Sequence, residues 1–134
     1  MKLNAYLVDS IEVVELEDGD KKIVSSAKVN TVQVPTLPFV NDLKIRIDLS
    51  DLVVGEKVKV EVHIFNSEDK LVAFSGVMKI KATKTNLSTW CQMKLVHTSI
   101  SVHEIRLYAN GERIGSEPYN VEFDTVNQKP VCSS

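Results

Sequence analysis

With 134 residues, the chain has the length of one ordinary domain, which excludes a multidomain machine and a large catalytic barrel. Hydrophobic residues make up 43% and charged residues 25%, with a net charge of −2, so a disordered tail, a collagen-like rod and a disulfide scaffold are excluded too. Aromatics, at 6%, are too few for a broad stacking platform, whereas valine and isoleucine are abundant.

The opening run is interrupted by Asn4 and Asp9 before an apolar core of signal-peptide length can form, and no stretch approaches the ~18 to 20 apolar residues of a membrane span. The chain therefore reads as soluble and cytoplasmic. Asp18-Gly19-Asp20 separates Ile11 to Leu16 from Ile23-Val24 and predicts a hairpin or a wide loop. In Val34-Pro35-Thr36-Leu37-Pro38-Phe39 the prolines cannot donate ladder hydrogen bonds. Their spacing matches a minimal polyproline ligand, but the apolar flanks favour a buried connection crossing between sheets.

Alternation with period two then dominates. Leu43, Ile45, Ile47 and Leu49 face one way and Lys44, Arg46 and Asp48 the other, which is the pattern of a half-buried strand. After Gly55-Glu56 the pattern returns, with Val58, Val60, Val62 and Ile64 opposed to Lys57, Lys59, Glu61 and His63. A helix would mix those sets around its circumference. The polar turn 66–70 leads into Leu71 to Ala82, where Phe74, Met78 and Ile80 share one parity and Gly76 predicts a bulge or a close backbone approach. Leu87 to Leu95 alternates again, with Trp90 on the parity opposite to Cys91, Met93 and Leu95, either capping an edge or on an exposed face.

Val102 to Tyr108 runs into Asn110-Gly111, a pair suited to the two positive-φ positions of a type I′ hairpin turn. Arg113-Ile114 begins the return, Pro118 follows, and Tyr119 to Phe123 forms a final strand. The sum is an all-β chain: an antiparallel two-sheet sandwich of seven to nine strands over residues 1–124, with a flexible tail at 125–134. Cys91 and Cys132 read as free thiols, not a bridge.

Three histidines invite a catalytic or metal reading, but His63, His97 and His103 lack ligand spacing. His63 falls on an outer face, His97 in the turn 96–99, and His103 at the start of a strand in a structural role. No phosphate loop, nucleophile elbow or His-Glu-x-x-His pair occurs, so no cofactor, metal or catalytic residue is assigned. Acidic turns at Glu15, Glu17, Asp18 and Asp20 and at Glu68 and Asp69 leave a two-loop calcium site conceivable.

Charge is unevenly distributed along the chain. Residues 1–20 hold one lysine and six acids, whereas residues 21–94 hold twelve basic and seven acidic residues. Lys44, Arg46, Lys57, Lys59, Lys79 and Lys81 lie on strand faces and form a basic stripe if those strands are neighbours, with Lys84 beyond them. Such a stripe attracts phosphates, yet no aromatic is interleaved with it in the sequence and the pI is near 5.9, so nucleic acid is the lesser reading. Complementarity between the acidic start and the basic middle also raises self-association.

Asn4-Ala5-Tyr6-Leu7-Val8-Asp9, the Val34 to Pro38 connection, the paired strands 43–49 and 57–65, the turn Ser67-Glu68-Asp69-Lys70 and the closing Ile105 to Glu112 together resemble an uncharacterised family of small bacterial immunoglobulin-like β-sandwich proteins, over Lys2 to Phe123. The Gly-x-Tyr corner of many such sandwiches is here Ser101-Val102-His103, an imidazole in place of the phenol. The resemblance implies the fold and carries no catalytic or binding residue. The expectation is a non-enzymatic bacterial or phage module that works through a protein partner or self-association; the alternative is a ligand-binding module using the lysine stripe or the acidic turns.

Overall fold

A computed structural model describes residues 1–124 as eleven strands. These are β1 (Lys2–Val8), β2 (Ile11–Glu15), β3 (Lys21–Ser25), β4 (Thr31–Val34), β5 (Phe39–Ser50), β6 (Lys57–Phe65), β7 (Leu71–Phe74), β8 (Met78–Lys81), β9 (Leu87–His97), β10 (Val102–Ala109) and β11 (Glu112–Phe123). The anticipated tail at 125–134, with Cys132, lies outside the described residues. Within them, no helix is long and apolar enough to cross a membrane.

A small sheet has the order β1-β5-β9 and a large sheet the order β4-β11-β10-β6-β7, with β8 also paired to β6. Alternation dictates which faces meet. Leu43, Ile45, Ile47 and Leu49 of β5 are buried against Val58, Val60, Val62 and Ile64 of β6 and Ile105 and Leu107 of β10. Each such side chain contributes roughly 1.5–3 kcal/mol when fully enclosed. β1 approaches β10 and β11 while β7 approaches β9, so the large sheet curls around the small one and the sandwich is half-barrel-like.

Three expectations are corrected. Pairing is not wholly antiparallel, because β4 joins β11 in parallel from Thr31↔Asn120 to Val34↔Phe123. The strands exceed the expected number, partly because β2 and β3 form a separate antiparallel ribbon. The segment 71–82 is two strands, not one with a bulge. Gly76 takes φ +79 between them, and nothing lies within 4 Å of where its Cβ would be, so it serves backbone conformation and not close approach. The interruption resets the parity: Phe74 points outward opposite His63, whereas Met78 and Ile80 pack on the core.

The connection 35–38 does cross between the sheets, from β4 to β5, but Pro35, Thr36 and Pro38 are exposed, and only Leu37 packs inward, with a cis Leu37-Pro38 bond. Pro118 does not end its strand. Asn120, two residues on, donates its N–H to the Asn30 carbonyl, so the ring nitrogen of Pro118 faces the same side, ahead of where β4 begins pairing. Asn110 and Gly111 have φ of 51° and 86°, as a type I′ turn requires.

Candidate functional site

The six basic candidates divide between the two outer faces. Lys44 and Arg46 lie on β5 in the small sheet, so the continuous stripe expected from sequence does not exist. Arg46 is engaged there: its Nε donates to Asp48 at 3.0 Å and its Nη1 to Ser25 Oγ at 2.9 Å. Burial tends to raise the Asp48 pKa, but hydrogen bonds from Ser88, Arg46 and Tyr6 outweigh it and hold the carboxyl below the usual range. Trp90 lies across from Arg46 on this face, 37% exposed. The β2–β3 ribbon is fastened to the same side by Ser25, and its turn is tied to the β8–β9 connection by an ion pair between Asp20 and Lys84.

The other four lysines do come together. Register places Lys57 opposite Lys81 and Lys59 opposite Lys79, all exposed on the outer face of the large sheet. They flank a depression of about 430 Å³ completed by Val58, Ile80 and Asn110. Asn110 at the hairpin tip is held against this patch, its Oδ1 accepting from the Lys59 N–H at 3.0 Å and its own N–H donating to the Lys59 carbonyl at 2.8 Å. None of the four makes an ion pair among the described residues, whereas Lys2, Lys28, Lys70 and Lys84 each do. Like charges directly opposite across a strand pair destabilise the pair.

Beside the lysines, on the same face, the structure assembles an aromatic group that the linear pattern did not reveal. The His63 ring centroid lies 4.8 Å from Phe74, 4.3 Å from Tyr108 and 6.3 Å from Phe65. The Arg106 guanidinium stands 3.8 Å over the Phe65 ring and is held by Glu104 and Asp69. Phe65 and His63 share the outward parity of Lys57 and Lys59 on β6, and Tyr108 shares that of Arg106 on β10. That shared parity was the available signal, but pairing β10 with β6 and β7 with β6 was needed to gather the rings.

His97 and His103 belong elsewhere. His97 ends β9 and is not in a turn; it is wholly buried, its Nε2 3.3 Å from the Tyr119 hydroxyl. The rings of His97 and His103 lie 5.3 Å apart, and His103 pairs in register with Tyr119. A phenol thus stands beside the imidazole at this corner, supplied by the neighbouring strand. Burial, aided by His103, lowers the His97 pKa to about 4, and burial lowers that of His103. Both rings are therefore neutral at pH 7.

Other chemistry is sparse. Burial pushes the Cys91 thiol up to about 12, far from the thiolate that a nucleophile needs. The two acidic turns do not converge: Asp20 pairs with Lys84 near the Lys57 end of β6, and Asp69 pairs with Arg106 near the Phe65 end. Among the described residues no group of three or more His, Cys, Asp or Glu is placed to hold a metal. A groove of about 450 Å³ opens where β1 ends beside β5, but its carboxylates, Asp9 and Asp42, are both exposed and no histidine or cysteine lines it.

No family model matches the chain, and no curated protein matches it. Among solved structures, it is similar to a glycosyl hydrolase family 2 member from Bacteroides cellulosilyticus at 12% identity and a TM-score of 0.51, covering 65% of this chain and 12% of that one. Weaker likenesses, both at 12% identity and covering 90% of this chain, are to an alkylpurine DNA glycosylase from Pseudomonas fluorescens bound to abasic-site DNA (TM-score 0.45, 30% of that chain) and a family 123 glycoside hydrolase from Clostridium perfringens (TM-score 0.43, 27% of that chain). The chain thus spans a minor part of each, and the first likeness concerns fold alone.

Proposed function

We propose that the protein is a non-enzymatic, cytoplasmic interaction module on an immunoglobulin-like scaffold, and that it engages a protein partner through the outer face of its large sheet. One observation carries this reading: that face gathers His63, Phe65, Phe74, Tyr108 and Arg106 next to four lysines that make no ion pair among the described residues. Rings and arginine supply most of the energy at protein interfaces, and charge at the rim sets partner choice and encounter rate. Exposed Leu71, Phe74 and Val77 extend the apolar part to the sheet edge.

A second reading, nucleic acid, gains from the rings beside the lysines, which the sequence pattern alone did not place there. It is the lesser one because Arg106 covers Phe65 and the His63 ring is enclosed by Tyr108 and Phe74, leaving few free ring faces for bases. A photo-crosslinking residue at Phe74, compared in cells with one at Gln92 on the small sheet's outer side, separates the readings. Discrete protein adducts from position 74 alone are expected. Nucleic-acid adducts from that position favour the second reading, and equal or absent adducts at both overturn the first.

A further inference from the structure

Building on that reading, we infer that the partner is a second copy of this chain, whose acidic β2–β3 ribbon docks on the lysine quartet Lys57, Lys59, Lys79 and Lys81. Each molecule, after satisfying itself, is left with complementary unpaired charge. On the large sheet the quartet has no ion-pair partner among the described residues, and cross-strand register forces its members into two like-charged pairs. Their anchoring positions form a lattice of about 5 by 7 Å, from strand spacing and the two-residue repeat. An exposed acidic segment complements that array in charge.

The ribbon supplies that segment. Residues 11–25 hold five acids against two lysines, and Glu12, Glu15 and Glu17 are exposed and make no ion pair among the described residues. Asp20 does not join them, being occupied by Lys84. The ribbon also exposes Val14 and Val24, and Val77 lies exposed beside the quartet, so apolar contact can accompany the charges.

Position makes the contact intermolecular. The Arg46 to Ser25 bond fastens the base of the ribbon to the small sheet's side and the Asp20–Lys84 pair holds its turn at the connection after β8, whereas the quartet faces outward from the large sheet. Held at both points, Glu12, Glu15 and Glu17 make no ion pair with the quartet of their own chain among the described residues. A contact between two different patches repeats head to tail from copy to copy, or closes as a two-fold dimer where both copies make it reciprocally. Lysines on the edge strand β8 also oppose strand addition at that edge, which directs the second copy to the face.

The test is the mass of the full chain by light scattering and sedimentation, at about 0.02 M and about 0.5 M salt, where the screening length differs severalfold. The weight-average mass is expected to rise with concentration above 15.0 kDa at low salt and to return to that value at high salt. Two variants with unchanged circular dichroism, one with Lys57, Lys59, Lys79 and Lys81→Glu and one with Glu12, Glu15 and Glu17→Lys, should each be monomeric alone. Mixed in equal amounts they should associate again, because each then offers the charge the other lacks.

A monomeric wild type at low salt, association untouched by either reversal, a salt-insensitive two-fold dimer or a mixture that stays monomeric overturns the inference. So does a monomeric wild type that binds a single-stranded oligonucleotide through the quartet. If self-association fails while position 74 still crosslinks to a different protein, only the second-copy inference falls; if crosslinking fails as well, the interaction reading falls with it.

Discussion

Two clusters of histidine and aromatic rings, built from nearly the same side chains, behave in opposite ways. His97, His103 and Tyr119 lie between the sheets, each under 4% exposed, and burial depresses both imidazoles and raises the Tyr119 phenol. His63, Phe65, Phe74 and Tyr108 stack on the outer face of the large sheet, where Phe74 is 48% exposed. The first cluster has solvent and partners excluded and can serve only packing. The second keeps ring surface in water, beside lysines that no ion pair among the described residues neutralises. Burial, not residue type, separates a structural histidine group from an available one.

The sharpest contrast is in truncation. Tyr119→Ala removes a ring that is 1% exposed, together with its contact to His97, and is expected to cost about 3–5 kcal/mol, the usual range for an aromatic in a filled core. Phe74→Ala on the outer face is expected to cost under about 1 kcal/mol. Urea unfolding of the two variants checks the pair. Similar losses would mean that the outer rings are part of the folding core and not a surface held for binding.

Acid should separate the clusters next. His97 has a folded pKa of about 4 against about 6.5 in an unfolded chain, so below the latter the unfolded state binds the proton first. Stability from this group is complete above the unfolded value and declines as pH falls through the window between the two. The loss approaches about 3 kcal/mol at the lower end and then levels off, with His103 adding in the same direction. Unfolding midpoints at neutral pH and at several points down to the lower bound measure it. A flat profile would mean that His97 reaches water in the native state.

These clusters also mark how far sequence reasoning reaches. The strands of β5, β6, β9 and β10, and the Asn110-Gly111 turn, follow from alternation and turn chemistry, because each is decided by neighbours within a few residues. β4 is hidden in the approach to the proline connection because four residues, Thr31 to Val34, are too few to display a period, and its parallel pairing with β11 joins segments far apart in sequence. His97 reads as a turn residue because Val96 and Thr98 around it give no sign that the strand runs one residue further inward. At the candidate site, the lysine pairs required only that β6 and β8 be neighbours, and they are. Lys44 and Arg46 required β5 to join the same sheet, and it does not. The ring group depended on three strands meeting, which no single segment encodes.

A smaller effect concerns how Phe74 is held outward. Ser75 continues the pairing of β6 after β7 ends, donating its N–H to the Val62 carbonyl at 3.0 Å while its Oγ accepts from the Val62 N–H at 2.9 Å. Ser75→Ala deletes the second bond and leaves the Val62 amide short of a partner, a loss of about 1 kcal/mol. The local consequence is more telling than the global one. Amide exchange should quicken at Val62 and along β7 while the amides around Tyr119 stay protected, and uniform quickening would mean that the outer face and the core open as a single unit.

The least effect on stability carries the most information about the lysines. Lys79→Glu turns one of the two like-charged pairs into an opposite-charged one, since Lys59 then faces a carboxylate in register on an exposed face. Cross-strand pairs of this kind shift stability by roughly 0.2–1 kcal/mol, so the variant should unfold at a slightly higher temperature than the wild type, and the gain should fade with added salt. A chain under no demand at this face gains by that exchange, whereas one that docks an acidic ribbon there loses affinity by it. Higher thermal stability combined with weaker association at low salt is therefore the expected signature. Higher stability with association unchanged would show that Lys79 belongs to the sheet edge and not to a docking surface.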